Sequence, residues 1–232
     1  MATEWRGLYR IGGIAAFALI VYGVATLVQV MVLGGRPATA AEAFGLLQAN
    51  KIIGLLRLDL LTVLVLPLYY VLFLALYAAL QPVDRSNVTL ATVLVFGGLT
   101  LVLATPTGLS LVPLSERYAA ATTEAARAEL RAAGEALLAI DIWHHTGAFV
   151  GGILAQCGAV LISVVMLRGG VFSRVTGWLG IGVHGLDLVH ILITPVLPLA
   201  AAVLMAVAGT FYPVWFFLVG RRLLRLAAPG GQ

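Results

Sequence analysis

The sequence predicts an all-α fold, a polytopic membrane bundle of six transmembrane helices with one short external amphipathic helix. Three observations carry that expectation. Hydrophobic residues fill 61% of the 232 positions and charged ones only 10%, at a mean hydropathy of +1.04, whereas soluble domains are about a quarter charged. The apolar residues gather into six runs, each reaching or approaching the roughly 20 residues that cross a hydrocarbon core of about 30 Å. The arginines fall between those runs, mostly on one side. No strand-like alternation occurs within the runs, and in lipid every backbone amide must be satisfied inside its own segment, which a helix achieves.

The runs occupy 11–33, 52–80, 88–114, 139–167, 175–194 and 197–218, and the chain reads as one transmembrane domain over 1–232. Pro67, Pro106 and Pro113 are expected to kink the second and third runs. Between the first two lies PATAAEA, where Ala38 and Ala40 match the A-x-A pattern of signal peptidase. An apolar stretch of 23 residues is long for a signal sequence, so the first helix is expected to be retained. YAAATTEAARAELRAAGEALL, 118–138, is too polar to span. It predicts an external helix over 123–138, capped by Thr123, with an Arg131–Glu135 pair and a soft face of Leu130, Gly134, Leu137 and Leu138.

An even number of spans places both termini on one side. Arg6, Arg10, Arg85, Arg168, Arg174, Arg221, Arg222 and Arg225 fall there against Glu4 and Asp84; on the opposite side five basic residues meet five glutamates. The positive-inside bias puts both termini in the cytoplasm. Thirteen arginines against the single Lys51 point to a GC-rich bacterial genome, hence a bacterial inner membrane. Trp5, Tyr9, Tyr77 and Trp178 would lie at the inner interface and Trp143 at the outer one. Because the basic residues are dispersed, the net charge of +4 gives no nucleic-acid surface. Cys157, the only cysteine, leaves no internal disulfide or cysteine zinc site and reads as a packing residue. Ser110, Ser115 and Ser163 sit in no nucleophile motif, so no triad is assigned.

The stretch WLGIGVHGLDLVHILITPVLP, 178–198, puts His184, Asp187 and His190 on successive turns of an apolar segment. A spacing of three residues sets Asp187 roughly 60° round the helix from each histidine, so all three share one broad face. GIGVHG inside it matches G-x-G-x-x-G, but a membrane span offers neither the preceding strand nor the exposed helix N-terminus of a dinucleotide site. Gly180, Gly182 and Gly185 read as close helix approaches instead, and so do Gly147 and Gly151, continued by Ala155 and Gly158.

Polar residues cluster in the expected outer half. Arg57 and Asp59 lie about 8 to 11 Å below the outer end of the second run at 1.5 Å per residue. His144 and His145 sit at a similar or shallower level on the fourth, and Asp187 and His190 approach it on the fifth, with His184 deeper. Thr105, Thr107 and Ser110 approach it on the third, with Gln29 a possible member on the first. A lipid-facing charge costs about 2.5 to 3.5 kcal/mol on insertion scales, so these groups should face the interior. Arg57 is expected to pair with Asp187 or Asp141, leaving Asp59 to meet a histidine.

SERYAAATTEAARAELRAAGEALLA, HTGAF, ISVVMLRGGVFSRVTGWLGI and FFLVGRRLLRLA, with RIGG and GLLRLDLL, resemble a bacterial family of six-helix membrane proteins catalogued as a domain of unknown function. The resemblance covers most of the chain and implies fold and membrane location, but no activity. Histidines at 144, 184 and 190 are not part of that family's pattern.

Three functions fit the residues. Arg57, Asp59, His145, Asp187 and His190 make a candidate ligand-binding set for an outward-facing small-molecule or ion site, transporter-like or sensor-like, although no inverted repeat or broken-helix pair is visible. A metal-dependent membrane enzyme would draw zinc or iron ligands from His144 or His145 with His184, Asp187 and His190. A haem would take His144 or His145 with His190. Against all three stands a closed polar knot that fixes helix register. The bilayer is the one partner read directly; oligomeric state is not legible.

Overall fold

The computed structural model describes residues 5–105, 108–140 and 145–229, all helical or loop, with no strand among them. Five stretches are long and apolar enough to cross a membrane: Arg6–Leu33, Leu60–Ala120, Thr146–Gly169, Arg174–Ile193 and Pro198–Ala227. Their outward faces carry large apolar side chains such as Val21, Val24, Met31, Leu199 and Val203. Such a surface suits a protein embedded in lipid.

The long helices are α1 (Arg6–Leu33), α5 (Pro67–Leu103), α8 (Thr146–Gly169), α9 (Arg174–Ile193) and α10 (Pro198–Ala227). α5 is a hairpin. Asp84, two residues after Pro82, leaves helical geometry at φ −155° and ψ 81°, and its carboxylate takes the backbone N–H and side-chain amide of Asn87 at 3.1 and 2.7 Å. In an unbroken helix Tyr70 and Phe96 would stand about 39 Å apart; their rings lie 4.9 Å apart. Tyr70 also bonds Thr100 at 2.8 Å. The turn falls in the gap expected between the second and third runs.

The helices close into a ring in which α1 packs between the first limb of α5 and α10, α10 on α9, α9 on α8, and α8 on the second limb of α5. Small residues set the contacts. A Cβ on Gly98 would collide with the Gly151 carbonyl oxygen, and one on Gly158 with the Ala91 carbonyl oxygen. The stripe expected on the fourth run is thus an internal seam, and Gly180 likewise packs against Ser163 and Trp215. Gly182 and Gly185 depart from expectation: both face open space. Tyr9 is buried and donates to the Ala78 carbonyl.

The second and third runs are not continuous at the end opposite the hairpin. Helix α3 (Lys51–Leu58) stops at Asp59, α4 (Leu60–Val65) follows, and Pro67 starts α5 with Leu66 between them still at helical φ −49° and ψ −37°. Beyond Leu103 the chain enters a 3-10 turn at Gly108–Ser110 and then α6 (Leu111–Ala120), so the span expected to reach 114 ends earlier. Pro106 lies outside the described residues, and Pro113 sits in the first turn of α6, where a missing N–H costs nothing.

A cap covers this end. α7 (Glu124–Ala139), with Thr123 accepting from Ala126 N–H, is the short helix expected over 123–138. The sequence reading missed α2 (Ala40–Ala49), whose Thr39 accepts from Glu42 N–H while Glu42 takes Ala38 N–H, a reciprocal cap built on the A-x-A residues. Phe44, Leu47, Leu58 and Leu111 form a second core beneath α2, α6 and α7. The expected Arg131–Glu135 pair gives way to longer reaches: Arg131 donates to Tyr118 Oη at 3.0 Å, and Glu135 accepts Ala40 N–H at 2.8 Å.

Candidate functional site

The polar groups of the bundle interior converge on Asp187, one turn before His190 on α9. Its carboxylate accepts from Gln156 Nε2 on α8 at 2.5 Å and from Tyr212 Oη on α10 at 3.0 Å, and His190 Nδ1 lies 3.1 Å from its other oxygen. Three helices therefore hold one carboxylate. Hydrogen bonds to a charged group are worth about 1.5 to 3 kcal/mol each, so three of them more than offset the roughly 2.5 to 3.5 kcal/mol that insertion scales assign to an aspartate at a helix centre. Among the described residues His190 is the only ionisable side chain in ion-pair range of Asp187.

Gln156 fixes the next step inward. With its amide nitrogen committed to the carboxylate, its Oε1 faces His184 Nδ1 at 2.8 Å. That nitrogen must then carry the proton, and Nε2 keeps its lone pair. The His184 ring stands edge-on to Tyr212 and Trp215, with centroids 5.2 and 4.7 Å away. His184 Nε2 and Trp215 Nε1 are buried without a hydrogen-bond partner. One acceptor and one donor are left unused at the deep end, each costing about 1 to 3 kcal/mol if it stays so.

The network has a depth gradient. Gln156 and His184 each lie ten residues into their helices, about 15 Å and so near mid-span. His190 lies nearer the capped end. The side chains of Asp187 and His190 keep 19% and 21% exposure, whereas His184 is buried at 3%. The chain of contacts thus runs from an accessible imidazole through a carboxylate to a sealed imidazole.

The remaining sequence-nominated residues do not join it. Arg57 pairs with Glu42 at 2.9 Å and donates to the Gly35 carbonyl at 2.8 Å, its guanidinium lying over Gly34, whose φ of +88° suits glycine. It reaches the cap instead of Asp187 because α3 packs against α2, which carries Glu42; Asp141 lies outside the described residues. Among the described residues Asp59 meets no histidine. Its two oxygens accept Gly108 N–H at 2.9 and 2.8 Å, and Arg36 adds an electrostatic attraction. That contact joins the break after α3 to the break after α5, a pair of discontinuities that the sequence reading had not found. His145 caps α8, Nδ1 accepting Gly147 N–H at 2.9 Å. Gln29 donates to the Leu56 carbonyl at 2.5 Å, and Thr105 bonds its own preceding turn. His144 and Thr107 lie outside the described residues. Among the described residues, no three His, Cys, Asp or Glu side chains gather as metal ligands.

Sequence reasoning missed Gln156, Tyr212 and Trp215. Gln156 did carry a signal, as the one amide in the apolar run ILAQCGAV, since such a group in a membrane helix must find a partner. Tyr212 and Trp215 carried none, because aromatics are common in these spans. No protein-family model, curated protein or solved structure matches the chain.

Proposed function

We propose that the protein is a six-span bacterial inner-membrane protein, both termini cytoplasmic, that binds a small positively charged ligand from the outer side. The ligand is a proton, an inorganic cation or a small protonated solute, and the role transporter-like or sensor-like. One observation carries the reading: a carboxylate in the bundle interior held by Gln156, Tyr212 and His190, without lysine or arginine in ion-pair range among the described residues. Gln156 and Tyr212 donate to the carboxylate without cancelling its charge, and its one ion-pair partner among those residues is a histidine and not a permanent cation, which favours a proton or a cation as ligand. The hairpin at Asp84 supports the six crossings, and the arginines at that end support the orientation.

Zinc, iron or haem held by His144 or His145 with the α9 residues remains a separate reading that no observation favours, and metal analysis with an absorption spectrum checks it. The direct test is thermal stability of the detergent-solubilised protein across a panel of alkali cations, small ammonium compounds and pH steps from 5 to 8. The wild type should shift with at least one of these, and Asp187→Asn should not. Identical responses of both proteins would leave the network a structural knot.

A further inference from the structure

We infer that the arginine-rich end of the α1–α10 seam is a binding groove for the headgroup of an anionic phospholipid. Four arginines define it. Arg6 and Arg10 lie one turn apart on α1, and Arg221 and Arg225 one turn apart on α10. The register of the two antiparallel helices follows from their contacts: a Cβ on Gly13 would meet Leu224 and the Gly220 carbonyl, and the Phe17 and Phe217 rings meet edge to face at 5.9 Å.

Residues 6, 10, 13 and 17 share one face of α1, as 217, 221 and 225 share one face of α10. Proceeding from the Phe17–Phe217 contact toward the chain termini, both faces turn from aromatic to guanidinium within two turns, on the same edge of the seam. Arg10, Arg221 and Arg225 are exposed and Arg6 half-buried. None of the four has an ion-pair partner among the described residues, in contrast to Arg168, held by Asp84 at 2.8 Å. Glu4, outside the described residues, would cancel one charge of four.

An aromatic step followed by unpaired guanidinium groups matches a phospholipid: acyl chains against Phe17 and Phe217, and a phosphate oxygen cluster against the arginines, whose planar forks bind phosphate bidentately. A zwitterionic headgroup would return a positive charge to the same place, so the groove selects net anionic lipid. Juxtamembrane arginines contribute roughly fivefold each to anionic-membrane affinity.

The test is native mass spectrometry of the full chain, released from vesicles of equal phosphatidylglycerol and phosphatidylcholine, counting retained lipids. The wild type should keep phosphatidylglycerol preferentially. Arg10→Gln with Arg225→Gln should lower that preference roughly 20-fold, and Arg6→Gln with Arg221→Gln comparably. Arg117→Gln with Arg127→Gln at the capped end should leave it unchanged, with circular dichroism confirming that every variant is folded. Equal retention of the two lipids, an unchanged preference in both seam pairs, or the same drop in the capped-end pair would overturn the inference. Displacement of the lipid by millimolar inorganic phosphate would also overturn it, making a free anion the ligand.

Discussion

Helix α8 has two faces, and they are built on opposite principles. Toward α5 it presents Gly151, Ala155 and Gly158, so close that backbone touches backbone and no polar side chain intervenes. Toward α9 and α10 it presents Gln156 and Ser163, and Gln156 bridges His184 and Asp187. Without a hydrophobic drive between helices in lipid, the first face gains its stability from dispersion at short range and the second from hydrogen bonds that have no substitute in hydrocarbon. The glycine seam has one arrangement available. The polar seam has titratable groups, unused atoms and a part-exposed end, and so it is the seam on which the proposed ligand site rests.

Breaking the glycine seam should have the largest effect. Gly98→Val places a branched side chain against the Gly151 backbone, which cannot move aside as a flexible side chain would. Destabilisation on the order of 3 kcal/mol is expected, read as a fall in the detergent unfolding midpoint and in the yield of folded protein. Retained stability would mean that the two helices do not touch there.

The polar seam should give a smaller loss with a different signature. Asp187→Ala strands the Gln156, Tyr212 and His190 donors, but the part-exposed end of the network lets water satisfy most of them, so a net loss of about 1 to 3 kcal/mol, that of one unsatisfied group, is expected. Asp187→Asn, which still accepts, should lose less. Combining Asp187→Ala with Tyr212→Phe should cost less than the sum of the single changes, and strict additivity would dissolve the network.

Arg57→Ala serves as a contrast from the cap. Its Glu42 pair is partly exposed, and exposed pairs contribute about 0.2 to 1 kcal/mol, so the loss should be smaller than at Asp187. A larger loss, coupled to Asp187, would restore the pairing read from the sequence.

The smallest effect is a pH dependence at the hairpin. Hydrogen bonds from Asn87, then the Arg168 charge, hold the Asp84 carboxyl below its ordinary value. A folded-state value below the unfolded one contributes stability above the unfolded value, near pH 4, and that contribution is lost as pH falls through the folded value. Unfolding midpoints of the wild type and Asp84→Asn should therefore converge on acidification below about pH 4. A gap that persists or widens would contradict the assignment.

The apolar runs, the external helix capped by Thr123 and the α8 glycine stripe were legible because each rests on local periodicity or capping chemistry. The break at Asp59 was not, since GLLRLDLL scans as one apolar helix and only the distant Gly108 N–H makes the interruption worthwhile. Asp187 with His190 was legible from helical spacing alone. Its tie to Gln156 and Tyr212 depends on how three helices rotate against one another, which hydropathy does not encode. Arg57 misled for another reason: its partner Glu42 sits on α2, a helix that the sequence reading missed.

The most direct test of an outward-open Asp187 centre is thiol accessibility in intact cells, in a Cys157→Ala background. Single cysteines at 122 in the exposed loop before α7, at 190 beside Asp187 and at 163 in the buried interior would each be challenged with a membrane-impermeant reagent. Labelling at 122 and 190 with protection at 163 is the predicted pattern. Protection at 190 while 122 is labelled would contradict it and leave Asp187 in a sealed knot.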